Sequence, residues 1–326
     1  MTSVKLTVLD IGHGNCTLIN SESSMTIIDA AQGNDLLEIL LEKNITVVDD
    51  LILSHADADH IGGAISLLMS DDVSVRRIHM NSEAFRGTRV WMSVIQAISH
   101  ARNTQNTRLK PSIARDDDDI AYDEYKLEIL APNPVECLTG PGTQNTEGRT
   151  LDANSMSVVL RLIHDGANIA LIPGDMDDDT LQYLQSEEQC LEAKVLVFPH
   201  HGGRPGNGDP ESFAKSLCER VNPDLVLFSN SRRKHDNPIP SVISGIRSSN
   251  CGAYLACTQI SESCCNNEAN LSSHHLSSLY PSKGKGQNYS CAGSVTITLN
   301  GSSTNVSSPL SAHGTYINNF PSRKCV

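Results

Sequence analysis

Four side chains able to bind a metal fall within six residues in Ser54-His55-Ala56-Asp57-Ala58-Asp59-His60-Ile61-Gly62-Gly63. A helix cap needs one oxygen and no histidine, so capping does not explain that density. Asp49-Asp50-Leu51-Ile52-Leu53 ahead of it reads as a short buried strand, and Ile61 to Met69 carries apolar residues at helical spacing. The donors therefore sit on a strand-to-helix loop. Such a loop can aim His55 and Asp57 to one side and Asp59 and His60 to the other, giving two adjacent cation positions. Two divalent ions about 3.5–4 Å apart would make hydroxide from water near neutral pH and stabilise a leaving oxygen. That is the chemistry of hydrolysis.

Three later segments supply more donors. Ile169-Ala170-Leu171-Ile172-Pro173-Gly174-Asp175 is an apolar strand ending in a tight turn and a carboxylate. Val195 to Phe198 is another, followed by Pro199-His200-His201-Gly202; adjacent residues point differently, so one histidine ligates while the other orients a ligand or meets substrate. Leu151 to Ser157 places Asn154, or Asp152, just before a strand, as a ligand or as a turn residue. The loop motif resembles the HxHxDH signature of the metallo-β-lactamase superfamily, with Asp57 in place of the second histidine. That variant looks like the nuclease domain of ComEC-type DNA-uptake proteins and their free-standing relatives, and the likeness runs from about Val4 to about Leu299.

The resemblance implies an α/β (α+β) fold, a four-layer αββα sandwich with strand-end loops of both sheets meeting at one edge. It further implies that His55 and Asp57 hold one metal with Asn154 near it, that Asp59 and His60 hold the other, and that Asp175 bridges. His200 or His201 completes the second site. Asp10-Ile11-Gly12-His13-Gly14-Asn15 resembles the family's DVGQGD loop, and Asp29 matches an aspartate that supports the metal loop; Asp29 and His13 are thus expected beside the ligands rather than among them. Oxygen donors at Asp57 and Asn154 suit Mn²⁺ better than a nitrogen-rich set would, with Zn²⁺ the alternative.

Charge narrows the substrate. The 326 residues carry a net charge of −13, which disfavours coating nucleic acid by electrostatics alone, since that mode needs a basic face. Yet Arg232, Arg233, Lys234 and His235 cluster after the strand Leu225 to Phe228, and Arg204 follows the paired histidines. These five could hold a phosphate. The expectation is a dinuclear phosphodiesterase or nuclease acting on DNA or a small phosphodiester. Asp59 would orient the attacking hydroxide, and His235 would bind phosphate or protonate the leaving group. The alternatives are a hydrolase of another ester, thioester or lactam, and a metal-binding regulatory protein without turnover.

The elements that must position these groups are read as strands and helices through two similar halves, making one hydrolase domain over 1–299. Residues 251–299 are its Cys/Ser-rich extension, and 300–326 are expected to be a poorly ordered tail. Six of the ten cysteines lie between Cys251 and Cys325. Cys257, Cys264, Cys265 and Cys291 could hold a structural Zn²⁺, or they could be buried thiols. No apolar run approaches the ~20 residues that span a bilayer, so no membrane partner is expected and a cytoplasmic location is. Protein partners are left open.

Overall fold

The computed structural model describes residues 3–83, 87–145, 148–267, 271–300, 303–304, 310–320 and 323. Its first half runs β1 (Val4–Val8), β2 (Thr17–Asn20), β3 (Met25–Ile28), α1 (Asp35–Glu42), β4 (Val47–Leu53), α2 (Ala58–Ile61), α3 (Ala64–Leu68), β5 (Ser74–Met80), α4 (Arg89–Thr104), β6 (Arg108–Lys110) and β7 (Ile120–Ala121). The second runs β8 (Lys126–Ala131), α5 (Pro134–Thr139), β9 (Val159–His164), β10 (Ala167–Ile172), α6 (Asp178–Ser186), β11 (Val195–Val197), α7 (Pro210–Val221), β12 (Leu225–Phe228), α8 (Pro240–Ser248), β13 (Tyr254–Cys257), β14 (Val295–Asn300), β15 (Ser303–Thr304) and α9 (Ser311–Ile317).

Two sheets result, ordered β15-β14-β1-β2-β3-β4-β5-β6 and β13-β12-β11-β10-β9-β8-β7. Side-chain alternation dictates how they stack. Val4, Leu6 and Val8 of β1 and Ile52 of β4 share one buried cluster with Leu127 and Ile129 of β8, Leu160 of β9 and Ile172 of β10. The opposite face of β4, Leu51 and Leu53, joins Leu67 and Leu68 of α3 and Val94 and Ile98 of α4. Phe213 and Leu217 of α7 and Val242 of α8 cover the outside of the second sheet. Three apolar layers thus separate four layers of secondary structure, the expected αββα sandwich. Asp50, a carboxylate inside β4, is tolerated because Arg77 on β5 grips both its oxygens at 2.7 and 2.6 Å and His79 meets it at 2.7 Å.

The structure departs from expectation in two places. The cysteine-rich segment contains β13, which pairs in parallel with β12, so Cys257 stands in a sheet. The tail from residue 300 is not uniformly disordered, because α9 forms in it and buries His313, Tyr316 and Ile317. His313 Nδ1 lies 2.7 Å from the Tyr254 hydroxyl and Nε2 3.0 Å from Cys291 Sγ. Burial lowers its pKa to about 4. An unfolded chain takes up this proton below pH 6.5 while the folded one does not, so stability falls as pH drops from 6.5 towards 4. The full difference is about 3 kcal/mol. Urea midpoints measured across that window should decline for the native chain and decline less for His313→Leu.

Candidate metal centre

β4 delivers the chain to the donor loop, and a buried aspartate fixes the handover. Asp29, at the end of β3, accepts the Ser54 N–H at 2.7 Å and the Ser54 hydroxyl at 2.9 Å. Ala56 N–H donates to Glu83 at 2.8 Å from the end of β5. Asp57 stands in extended backbone at the start of α2, and its Oδ2 lies 3.6 Å from His55 Nε2. Asp59 and His60 follow inside α2, where successive side chains diverge by roughly 100°. Two glycines around it allow close approach: a Cβ on Gly63 would lie 2.3 Å from the Ala31 carbonyl oxygen, and one on Gly14 2.3 Å from that of Asp59. Those contacts press the His13 loop and the β3–α1 loop onto α2.

Two groups of convergent donors result, each within 4.8 Å: His55, His60 and Asp175, and His13, Asp59 and His201. Their second nitrogens are already engaged. His60 Nδ1 is 2.8 Å from Asp29, and His201 Nδ1 is 2.7 Å from the Ser229 carbonyl, so both donate there and keep a lone pair on Nε2. His55 Nδ1 meets Ser54 Oγ at 3.0 Å; that hydroxyl's proton goes to Asp29, so His55 must be the donor. The Nε2 atoms of His55, His60, His200 and His201 are all buried without a hydrogen-bond partner. Three of these, on His55, His60 and His201, belong to rings that converge with Asp175 or Asp59, an arrangement that a pair of divalent cations would satisfy and that is otherwise costly.

The carboxylates are held ionised. Burial alone would raise Asp175, but the imidazoles of His60, His201 and His200 keep it well below the ordinary carboxylate range. Burial opposes ionisation of Asp59 as well, and His13 and His201 hold it far below that range. Asp175 Oδ1 lies 3.3 Å from His60 Nε2 and Oδ2 lies 3.9 Å from His201 Nε2, so it spans the two groups. His200 and His201 both adopt left-handed backbone, at φ 52° and 55°. That kink turns His201 Nε2 to within 3.4 Å of Asp59 and leaves His200 Nδ1 3.7 Å from Asp175. Asn154 borders a cavity of about 340 Å³ together with Asp57, and its Oδ1 is buried without a hydrogen-bond partner.

Residues 9–144 match the metallo-beta-lactamase superfamily. The chain carries a metallo-β-lactamase superfamily domain. The domain is 27% identical over 231 residues to Recombination protein 2 of Haemophilus influenzae, covering 69% of this chain and 24% of that protein. It is 23% identical over 250 residues to Competence protein ComA of Neisseria gonorrhoeae, covering 74% of this chain and 29% of that one. The chain thus spans less than a third of the length of either relative. The metallo-beta-lactamase fold protein YhfI of Bacillus subtilis aligns at a TM-score of 0.48 and 12% identity, over 79% of this chain and 98% of that one.

The metallo-β-lactamase domain arranges some expected residues differently. His60 does not share a group with Asp59; it joins His55 and Asp175. His13, expected only to support the loop, sits with its Nε2 2.8 Å from Asp59 and belongs to a donor group itself. Arg232 is buried and donates to the carbonyls of Ile260 and Cys265 at 3.1 and 2.8 Å, so it staples the loop and does not face substrate. Arg233 and Lys234 are exposed beside the His13 group, lining a cavity of about 380 Å³. His235 is exposed with its ring 5.0 Å from that of His13. Arg204 is exposed and acts on Asp209 at the start of α7.

Among the described residues, the cysteines suggested as a zinc staple lie in the core. Cys257, Cys264 and Cys291 are core residues and Cys265 packs against them, and neither donor group among the described residues includes them. Sequence reasoning also passed over Glu83, Lys283 and Tyr289, which line the two cavities. Glu83 carried a readable signal as an acid just past a strand end, whereas Lys283 and Tyr289 lie in a segment without periodicity. Among the described residues no helix is long and apolar enough to cross a membrane.

Proposed function

We propose that this chain is a dinuclear metal-dependent phosphodiesterase whose substrate is DNA or a related phosphodiester. The observation that carries the reading is the set of buried imidazole Nε2 atoms of His55, His60 and His201, without hydrogen-bond partners and in rings grouped with Asp175 or Asp59. Two divalent ions, manganese or zinc, would be held by His55, His60, Asp57 and Asp175 on one side and by Asp59, His201 and His13 on the other. When bound they would supply an activated water and neutralise developing charge. The chain's own contribution is positional: Asp29, Ser54 and Ser229 fix the imidazole orientations before substrate arrives. Asp59 offers an acceptor that orients the attacking water, and Arg233 and Lys234 compensate phosphate charge. His235, next to His13, is the group placed to give a proton to the leaving oxygen.

The names of the relatives point the same way, since recombination and competence both concern DNA. Metal analysis and a cleavage panel test the reading together. Protein supplied with Mn²⁺ or Zn²⁺ should bind two ions per chain and cleave bis-p-nitrophenyl phosphate and plasmid DNA. Turnover of thioesters or nitrocefin alone, with neither phosphodiester touched, would assign the centre to a different ester.

A further inference from the structure

The cavity beside the His13 group holds more positive charge than one scissile phosphate requires. Arg233, Lys234 and Lys283 all line it, in a chain whose net charge is −13. The carboxylate on its wall, Asp59, also faces His13 and His201, so the cavity opens directly onto the donor groups. Its volume of about 380 Å³ accommodates a phosphate and part of a nucleotide.

The cations are placed there by buried structure. Tyr289 accepts from Arg233 Nη2 at 2.5 Å, and its ring centroid lies 5.0 Å from the guanidinium. The turn bearing Lys283 is pinned by Asp10: Lys283 N–H donates to the Asp10 carbonyl at 2.8 Å, and Gly284 N–H to its carboxylate at 3.1 Å. Ser290 and Gln259 complete that carboxylate's partners at 2.8 Å each. A buried acid in the loop that also carries His13 therefore holds a surface lysine from the far end of the sequence at the cavity. Lys283 Nζ makes an ion pair with Asp35 at 2.7 Å, but both groups are solvent-accessible. An exposed pair of this kind is weak enough for a phosphate dianion to displace.

The geometry points to a second phosphate subsite, in which Arg233, Lys234 and Lys283 bind the phosphate flanking the scissile one. This rests on the phosphodiesterase reading and narrows its substrate class to nucleotides bearing two phosphates one nucleoside apart. An isolated diester leaves the subsite empty.

Dinucleotides decide the matter. With Mn²⁺ present, kcat/KM should be roughly tenfold higher on either pTpT or TpTp than on TpT, the gain lying in KM. Lys283→Ala and Arg233→Ala should bring that ratio to within about twofold of one, and Lys283→Glu should take it below one, as charge repulsion requires. Lys126→Ala, which removes a remote lysine paired with Asp119, should keep the native ratio. The Asp10 contacts of this turn come from backbone, so both Lys283 variants should melt with the native chain. Equal kcat/KM on all three dinucleotides, or a ratio insensitive to Lys283→Glu, overturns the subsite while leaving the phosphodiesterase intact. Failure to cleave TpT and bis-p-nitrophenyl phosphate alike overturns the reading beneath it.

Discussion

His60→Ala and His201→Ala are each expected to lower metal-dependent hydrolysis of bis-p-nitrophenyl phosphate by about 10³-fold, equivalent to about 4 kcal/mol of barrier. Each ring lies against both a fixed partner and an open carboxylate. His60 links Asp29 at 2.8 Å to Asp175 at 3.3 Å, and His201 links the Ser229 carbonyl at 2.7 Å to Asp59 at 3.4 Å. Removing either takes one nitrogen donor from a group of three. Bound metal should fall from two ions per chain towards one in the same variants. Exposed His274, far along the sequence, serves as control, and His274→Ala should retain native turnover. Retention of more than a tenth of the native rate by both His60→Ala and His201→Ala would dissociate these rings from the chemistry.

The second large effect is expected at a residue that touches no substrate. Asp29 is fully buried and gathers the Ser54 N–H, the Ser54 hydroxyl, Asn15 Nδ2 at 3.2 Å and His60 Nδ1. Asp29→Ala strands these donors in the interior, at an expected cost of about 3–5 kcal/mol in stability. It also frees the His60 ring, which should weaken metal binding roughly 10–100-fold. Asp29→Asn is the informative companion. Asparagine tolerates the left-handed backbone at φ 62° and keeps one acceptor, so it should recover part of the stability and little of the metal affinity. Urea denaturation of metal-free protein reads the first quantity and Mn²⁺ titration the second. A metal-free stability loss below about 1 kcal/mol for the alanine variant would show that Asp29 does not brace the loop.

The donor loop was legible because its information is local: a strand, a turn and four donors in six residues. Which donors face one another was not, because that depends on angles. Asp59 and His60 are neighbours in sequence, yet one helical step within α2 sends them to different groups, and His13 meets Asp59 only through the packing of Gly14 against α2. The kink at His200 and His201 was equally hidden, since left-handed histidines follow from the surrounding fold and not from propensity. Adjacent arginines tell the same story, Arg232 turning inward to backbone carbonyls and Arg233 outward to the cavity. Most strands were readable from apolar runs. β13 was not, because a four-residue parallel strand with three consecutive buried residues shows no alternation.

The pairing of β1 with β14, Val4 opposite Leu299 and Val8 opposite Val295, ties the order of synthesis to the birth of the cleft. A nascent chain that has left the ribosome only as far as α8 already holds every donor of both groups, but its first strand lacks a neighbour on one side. Its Asp10 carboxylate lacks Gln259, Gly284 and Ser290. Contacts across some 280 residues close late and slowly, so the surroundings of the two donor groups are completed only once β14 arrives.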